Sequence, residues 1–176
     1  MRAARSALAA LVALLLAVGC VVHGSDATPS TLPPVALVPF ASGGTSAAAV
    51  PTTLLQAAGG RPMVIDFFAT WCGPCRESMP RLQAFADEHR GRGLVVVGVD
   101  VDENAADVAP FVSDVGVHYP IFLDKDFALA DAVGAKSVPA LLVVGADGRI
   151  LHRAQHLDAA TRAAVDAALA PPPAKR

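Results

Sequence analysis

Aromatic side chains are scarce in this chain, with one Trp, one Tyr and seven Phe among 176 residues. Cysteine is scarcer still: only Cys20, Cys72 and Cys75 occur. That count excludes a small scaffold held together by many disulfides. The apolar run near the start, Ala7 to Val18, has 12 residues, short of the roughly 20 that span a bilayer. There is no basic surplus either. Lys and Arg number 14 against 16 Asp and Glu, for a net charge of −2. Without residues 1–19, which hold Arg2 and Arg5 and no acid, 12 basic residues face 16 acidic ones. Phosphate binding needs a basic face, so nucleic acid is not an expected partner. The five histidines (23, 89, 118, 152 and 156) form no closely spaced pair beside a second cysteine pair. A four-ligand structural zinc site is therefore short of ligands.

What the chain does have begins with an export signal. Arg2 and Arg5 supply the positive start and Ala7 to Val18 the apolar stretch. Ala17-Val18-Gly19 then gives small residues at a cleavage point. The run Leu16-Ala17-Val18-Gly19-Cys20 resembles a bacterial lipobox, with Ala17 where a leucine is usual. Two outcomes stay open. Cys20 is acylated and becomes the new N-terminus, or plain cleavage near Gly19 leaves it bare. A lone extra thiol on an exported protein invites unwanted pairing unless it is capped, which favours acylation. Residues 20–50 are rich in Ser, Thr, Pro, Gly and Ala, the composition of a flexible linker. The expected organisation is a signal over 1–19, a linker over 20–50, one folded domain over 51–171 and a short tail over 172–176.

Within that linker, Val35 to Phe40 has the pattern of a short edge strand, and Thr52 to Ala58 of a brief helical turn. From Pro62 the pattern becomes regular. Pro62 to Thr70 reads as a buried strand, and Met63 to Ala69 is apolar on both faces apart from Asp66, as a central strand is. A helix is expected from Cys75 to about Arg90, kinked at Pro80 and ended by Gly91 and Gly93. Leu94 to Val101 reads as a second buried strand. Asn104 to Val115 reads as a helix, with Pro110 either interrupting it or marking its true first turn. A strand over Tyr119 to Leu123 and a helix over Asp126 to Val133 follow, then strands over Pro139 to Val144 and Arg149 to Gln155. Asp147-Gly148 turns between those two strands, and a final helix covers Asp158 to Leu169. Strands alternating with helices, then a hairpin and a closing helix, predict an α/β fold with a mixed central sheet flanked by helices.

The stretch that carries chemistry is Trp71-Cys72-Gly73-Pro74-Cys75. Two cysteines three apart at a helix start lie on one face and can close a small disulfide ring. The helix end offers unpaired N–H groups and a positive dipole, so a thiolate there is stabilised. The thiolate is the nucleophile of disulfide exchange. Cys72, nearer the helix mouth, is the expected attacking thiol, and Cys75, one turn deeper, the resolving one. Half of a zinc site is the rival reading of the pair, and a copper-binding module with two thiolate ligands is a rival function.

The wording Ile65-Asp66-Phe67-Phe68-Ala69-Thr70-Trp71-Cys72-Gly73-Pro74-Cys75-Arg76, the Ser137-Val138-Pro139 step and Asp147-Gly148 in the last hairpin resemble the thioredoxin superfamily. The resemblance covers roughly residues 51–170. Between Asp102 and Pro139 the chain is longer than one helical crossover needs, which predicts an extra strand–helix insertion before the proline strand. That insertion, the export signal and the wording Cys75-Arg76-Glu77-Ser78-Met79-Pro80 resemble the membrane-anchored TlpA/ResA/CcmG-like reductases.

The resemblance implies several roles. Asp66 lies behind Cys75 and manages its proton. Pro139 follows a cis bond and faces the cysteines. Val138 offers backbone groups to an extended substrate, and Trp71, Gly73 and Pro74 border the substrate surface. No metal and no cofactor beyond the Cys72–Cys75 disulfide are implied. The implied activity is extracytoplasmic thiol–disulfide exchange on exported, disulfide-bearing proteins, for example in cytochrome c maturation. The implied partners are a membrane electron donor of the DsbD/CcdA type and the membrane itself, through a lipid anchor on Cys20, with the chain an exported monomer, periplasmic or on the outer face of a membrane. The copper-chaperone cousins of this fold use CxxxC plus a distant His, a spacing absent here.

The chain departs from the family pattern at four places. Ser78 stands where ResA-like proteins carry an acid. Gly98 stands where thioredoxins often place a Lys near the Asp. His156 stands near a groove-lining Gly, and Ala140 follows Pro139 where cytochrome-maturation members carry Glu. Gly-Pro between the cysteines is the thioredoxin dipeptide, whose couple lies at about −270 mV against about −120 mV for the oxidant DsbA. Reduction of partners is therefore expected over oxidation.

Overall fold

Twelve segments of regular structure alternate along the described part of the chain. They are β1 (Ala36–Phe40), β2 (Thr52–Thr53), α1 (Leu54–Ala58), β3 (Met63–Phe68), α2 (Gly73–His89), β4 (Val95–Asp100), α3 (Val108–Asp114), β5 (Ile121–Leu123), α4 (Ala128–Val133), β6 (Ala140–Val144), β7 (Ile150–Ala154) and α5 (Ala159–Leu169). The structure, a computed structural model, describes residues 28–40 and 49–171. The export-signal stretch, Cys20 and the tail over 172–176 lie outside the described residues. Among the described residues, no helix is long and apolar enough to cross a membrane.

The strands form one sheet in the order β2-β1-β5-β4-β3-β6-β7. β3 is an interior strand between β4 and β6, and its six residues are all buried. A strand covered on both faces has no polar side to alternate with, which is why its sequence is an apolar run. β3 runs parallel to β4 and antiparallel to β6, and β4 runs parallel to β5. The sheet is mixed, as expected, and the fold is thioredoxin-like.

The expected insertion between β4 and the proline strand is present, and its place in the sheet matters. β5 is wedged between β4 and β1, so β1 pairs with the inserted strand rather than with β4. Helix α3 makes the crossover that a parallel β4–β5 pair requires.

Folded structure also begins earlier than residue 51, which corrects the expected linker over 20–50. β1 pairs with β5 through Val38–Leu123, Pro39–Phe122 and Phe40–Ile121, and with β2 through Ala36–Thr53 and Leu37–Thr52. Leu32 and Leu37 are buried in the core. Thr31 bridges Arg149, and the Leu32 N–H donates to the Gly148 carbonyl at 2.8 Å. Two leucines spaced for burial outweigh the Ser, Thr and Pro around them.

Element ends moved for local reasons. α2 starts at Gly73 rather than Cys75, because Cys72 serves as N-cap. It runs through Pro80, which is exposed, and gives way to a 3-10 turn over Arg90–Arg92 that Gly93 closes at φ 87°. α4 starts at Ala128 rather than Asp126. The buried Asp124 carboxylate accepts the Leu129 and Ala130 N–H groups there, and Phe127 takes a left-handed φ of 56° at the cap. The stretch expected as one helix from Asn104 is split, with a 3-10 turn over Ala105–Asp107 leading into α3. Thr52 and Thr53 pair with β1 before α1 begins, and Thr53 and Gln56 form a capping box at its start.

Candidate active site at the Cys72–Cys75 disulfide

β3 delivers the chain to the site. Past Phe68 it turns sharply. The Cys72 N–H donates to the Ala69 carbonyl at 3.1 Å, and α2 begins at once. Cys72 and Cys75 are joined as a disulfide, with their Cα atoms 5.3 Å apart. Cys75 is fully buried and Cys72 is 4% exposed, while Trp71 beside them is 74% exposed. The Cys72 sulfur accepts the Cys75 N–H at 3.2 Å. A cap position normally offers an oxygen to such an N–H. Here the sulfur takes that place, so a thiolate formed at Cys72 would meet a helix N-terminus already aimed at it.

The loop is fixed from behind by Asp102, whose Oδ2 accepts the Thr70 N–H at 2.7 Å. Sequence reasoning missed this residue. The only trace of it is the acid two places beyond the end of a buried strand. The neighbouring Asp100 is completely buried, and neither of its oxygens has a hydrogen-bond partner among the described residues. Burial first, and then the adjacent Asp102, push its carboxyl up to about 8.

Asp66 is buried in the middle of β3, not at a solvent-facing strand edge. Its Oδ2 accepts the Tyr119 hydroxyl at 2.9 Å. Burial raises its carboxyl to about 7, with the Tyr119 bond pulling the other way. Asp66 lies opposite Gly98 in the β3–β4 ladder. The Gly98 departure now has a physical reason: a Cβ there would lie 3.1 Å from the Tyr119 ring and 2.5 Å from Ile121 Cδ1.

The Val138–Pro139 bond is cis. The register pairs Phe67 with Ala140, so Pro139 lies level with Phe68, at the end of β3 from which the cysteine loop emerges. Trp71, Cys72, Gly73, Pro74, Cys75, Val138 and Pro139 therefore belong to one end of the sheet, with Val138 half-buried and Gly73 and Pro74 exposed. Clefts lie on two sides of Trp71. One, of about 530 Å³, includes Arg76, Asp107 and Phe111; the other, of about 410 Å³, includes Asp102, Glu103 and Phe127.

Of the other departures, Ser78 donates its hydroxyl to the Cys75 carbonyl at 3.2 Å, and Glu77 is exposed. His156 is exposed in the turn before α5, where its carbonyl accepts the Thr161 hydroxyl at 3.0 Å. Among the described residues no group of three His, Cys, Asp or Glu side chains could hold a metal ion.

The pattern of the Redoxin family matches residues 35–169. The chain belongs to the Redoxin family. The match starts at β1, in agreement with the packed boundary above. Thiol-disulfide oxidoreductase ResA of Bacillus subtilis (strain 168) is 27% identical over 92 residues, which cover 52% of this chain and 51% of that protein. ResA of Bacillus anthracis is 26% identical over 94 residues, 53% of this chain and 54% of that one. The matched region thus spans about half the length of these curated relatives. The crystal structure of a thiol:disulfide interchange protein of the thioredoxin family from Chlorobium tepidum superposes with a TM-score of 0.64 at 25% identity, covering 83% of this chain and all of that one. StoA from Bacillus subtilis superposes at 0.59 with 18% identity, covering 78% of this chain and 98% of that one, a likeness of fold alone. Within the family this redoxin is of the TlpA/ResA/CcmG-like kind.

Proposed function

We propose that this redoxin is an extracytoplasmic thiol–disulfide oxidoreductase that reduces disulfides of envelope proteins through the Cys72–Cys75 dithiol. One observation carries the reading: the Cys75 N–H, at the start of α2, is aimed at the Cys72 sulfur, while Cys75 itself is sealed from solvent. The likeness to ResA proteins supports the same chemistry.

The Cys72 thiolate attacks a partner disulfide. One new S–S bond joins Cys72 to the partner, and the partner's other sulfur leaves as a thiolate and takes a proton from water. Cys75 then gives its proton to Asp66 and attacks the Cys72 sulfur. The Cys72–Cys75 bond re-forms and the partner's second sulfur departs. Two electrons pass to the partner. A membrane dithiol donor of the DsbD/CcdA type returns two electrons to the spent disulfide. Trp71, Gly73, Pro74, Val138 and Pro139 form the surface on which the partner chain rests, with the Val138 backbone pairing to it as an added strand. The export signal and an acylated Cys20 place this chemistry at the outer face of a membrane, where apocytochrome c is one fitting substrate. The chain works as a monomer and needs no cofactor beyond its own disulfide.

The test uses single-cysteine variants. In the reduced protein Cys72 is alkylated by iodoacetamide before Cys75 at neutral pH. Cys75→Ser attacks a disulfide peptide and stalls as a trapped mixed species, while Cys72→Ser traps nothing. Faster alkylation of Cys75, or trapping by Cys72→Ser, would show the roles to be wrong. For location, Cys20→Ser is expected to release the protein from membranes or block its maturation. A wild-type protein that fractionates as free and unacylated would remove the anchor.

A further inference from the structure

We propose that Tyr119 is the positioning residue for the Asp66 carboxyl, holding it in one orientation during resolution and setting the pH at which it accepts the Cys75 proton. This rests on the proton-acceptor role given to Asp66 above.

Three contacts place the phenol there. First, the Tyr119 hydroxyl donates to Asp66 Oδ2 at 2.9 Å, with both side chains buried. A carboxyl has two oxygens, and pinning one of them directs the other. Second, the ring packs closely over residue 98, a Gly. Gly98 is the ladder partner of Asp66, and a Cβ on it would meet Ile121 Cδ1 at 2.5 Å, the Phe68 ring at 3.0 Å and the Tyr119 ring at 3.1 Å. Third, the backbone of Tyr119 is tied to the cysteine-bearing helix. Gln83 of α2 is buried, and its side-chain oxygen accepts the Tyr119 N–H at 3.2 Å and the His118 N–H at 2.7 Å. A path of hydrogen bonds therefore runs from α2 through Gln83 and Tyr119 to Asp66 in β3.

Asp66 and Tyr119 titrate far apart. Burial, and then the Asp66 charge, hold Tyr119 well above its ordinary value, so the phenol keeps its proton and remains the donor. Its bond favours the ionised carboxylate, against the burial that raises Asp66 to about 7. In the resolving step Cys75 loses its S–H proton to Asp66 while Tyr119 retains its own. The Cys75 sulfur bonds to Cys72 and the partner sulfur leaves.

Tyr119→Phe removes the hydroxyl and keeps the ring that fills the space over Gly98. The expected result is that the pH profile of mixed-disulfide resolution moves upward by about one unit, the size expected for losing one hydrogen bond to a charged group. The Asp66 carboxyl, followed by carbon NMR in the oxidised protein, shifts upward with it. Combining Tyr119→Phe with Asp66→Asn is expected to slow resolution no further than Asp66→Asn alone. Superimposable profiles for wild type and Tyr119→Phe, or additive losses in the double variant, would overturn the proposal. If Asp66→Asn leaves resolution unchanged while Tyr119→Phe still shifts the carboxyl resonance, the acceptor role of Asp66 fails and the hydrogen bond stands.

Discussion

At Asp100 a full carboxyl sits in the core with no hydrogen-bond partner among the described residues and with Asp102 as its neighbour. Ionising it there is costly, and the chain avoids that cost by keeping it protonated up to about pH 8. The consequence for stability has a definite sign. An unfolded Asp loses its proton near pH 4. Between there and about 8 the folded chain binds more protons at this site than the unfolded one, so stability falls as pH rises through that window. Asp66, raised to about 7, adds to the same slope. The melting temperature is therefore expected to drop between about pH 5 and about pH 9. Asp100→Asn, which cannot ionise, is expected to be near neutral at the acid end and to gain about 1–3 kcal/mol at the alkaline end. Urea unfolding at both pH values measures it, and a variant with the wild-type slope would show that Asp100 is not the source. Neither this residue nor Asp102, Gln83 and Tyr119 stood out in the sequence. Their roles depend on partners 32 or more positions away: Thr70 for Asp102, Tyr119 for Gln83 and Asp66 for Tyr119. Cys72, Cys75 and Asp66 did stand out, because each breaks a local pattern within a few residues. Gly98 was visible as a departure, but its reason is the ring above it.

Among the elements, the long apolar runs β3 and β4 and the helix after the cysteines were legible because local composition and final environment agree. β1 was half legible. Its strand pattern could be read, but Pro33, Pro34 and Pro39 gave the segment the composition of a linker. Composition does not show which strand it will meet, and its partner β5 lies some 80 residues on, inside the insertion. Once paired, β1 covers an edge of β5 that would otherwise be exposed. Leu37, 3% exposed, anchors it in the core. Leu37→Ala is expected to cost about 2–4 kcal/mol by leaving a cavity. A chain beginning at residue 51 should fare worse, because it loses β1 whole and bares β5. Thermal melts and light scattering of the two proteins check this. A chain from residue 51 that melts like the full protein would mean that β1 rests on the domain without supporting it.

At the scale of the whole molecule, the balance of charge around the thiols decides the direction of electron flow. Two features favour a Cys72 thiolate, and so the reduced form: the end of α2 and the Cys75 N–H. A helix end contributes about 2 kcal/mol at most. The opposing charges are numerous. Asp102, Glu103 and Asp107 line the clefts beside Trp71. Arg76, in the first turn of α2, is already paired with Asp114 and stacked over Phe111. To move a couple from about −270 to about −120 mV the protein must stabilise its reduced form by about 7 kcal/mol, since 30 mV corresponds to about 1.4 kcal/mol. One helix end set against an acidic rim falls well short of that. The Cys72–Cys75 couple is therefore expected to stay at the reducing end, below about −200 mV, and the oxidised chain to melt above the reduced one. Equilibration against dithiothreitol and glutathione buffers, read by thiol alkylation, gives the value. A potential near that of DsbA would reverse the proposed direction and make this redoxin a donor of disulfides.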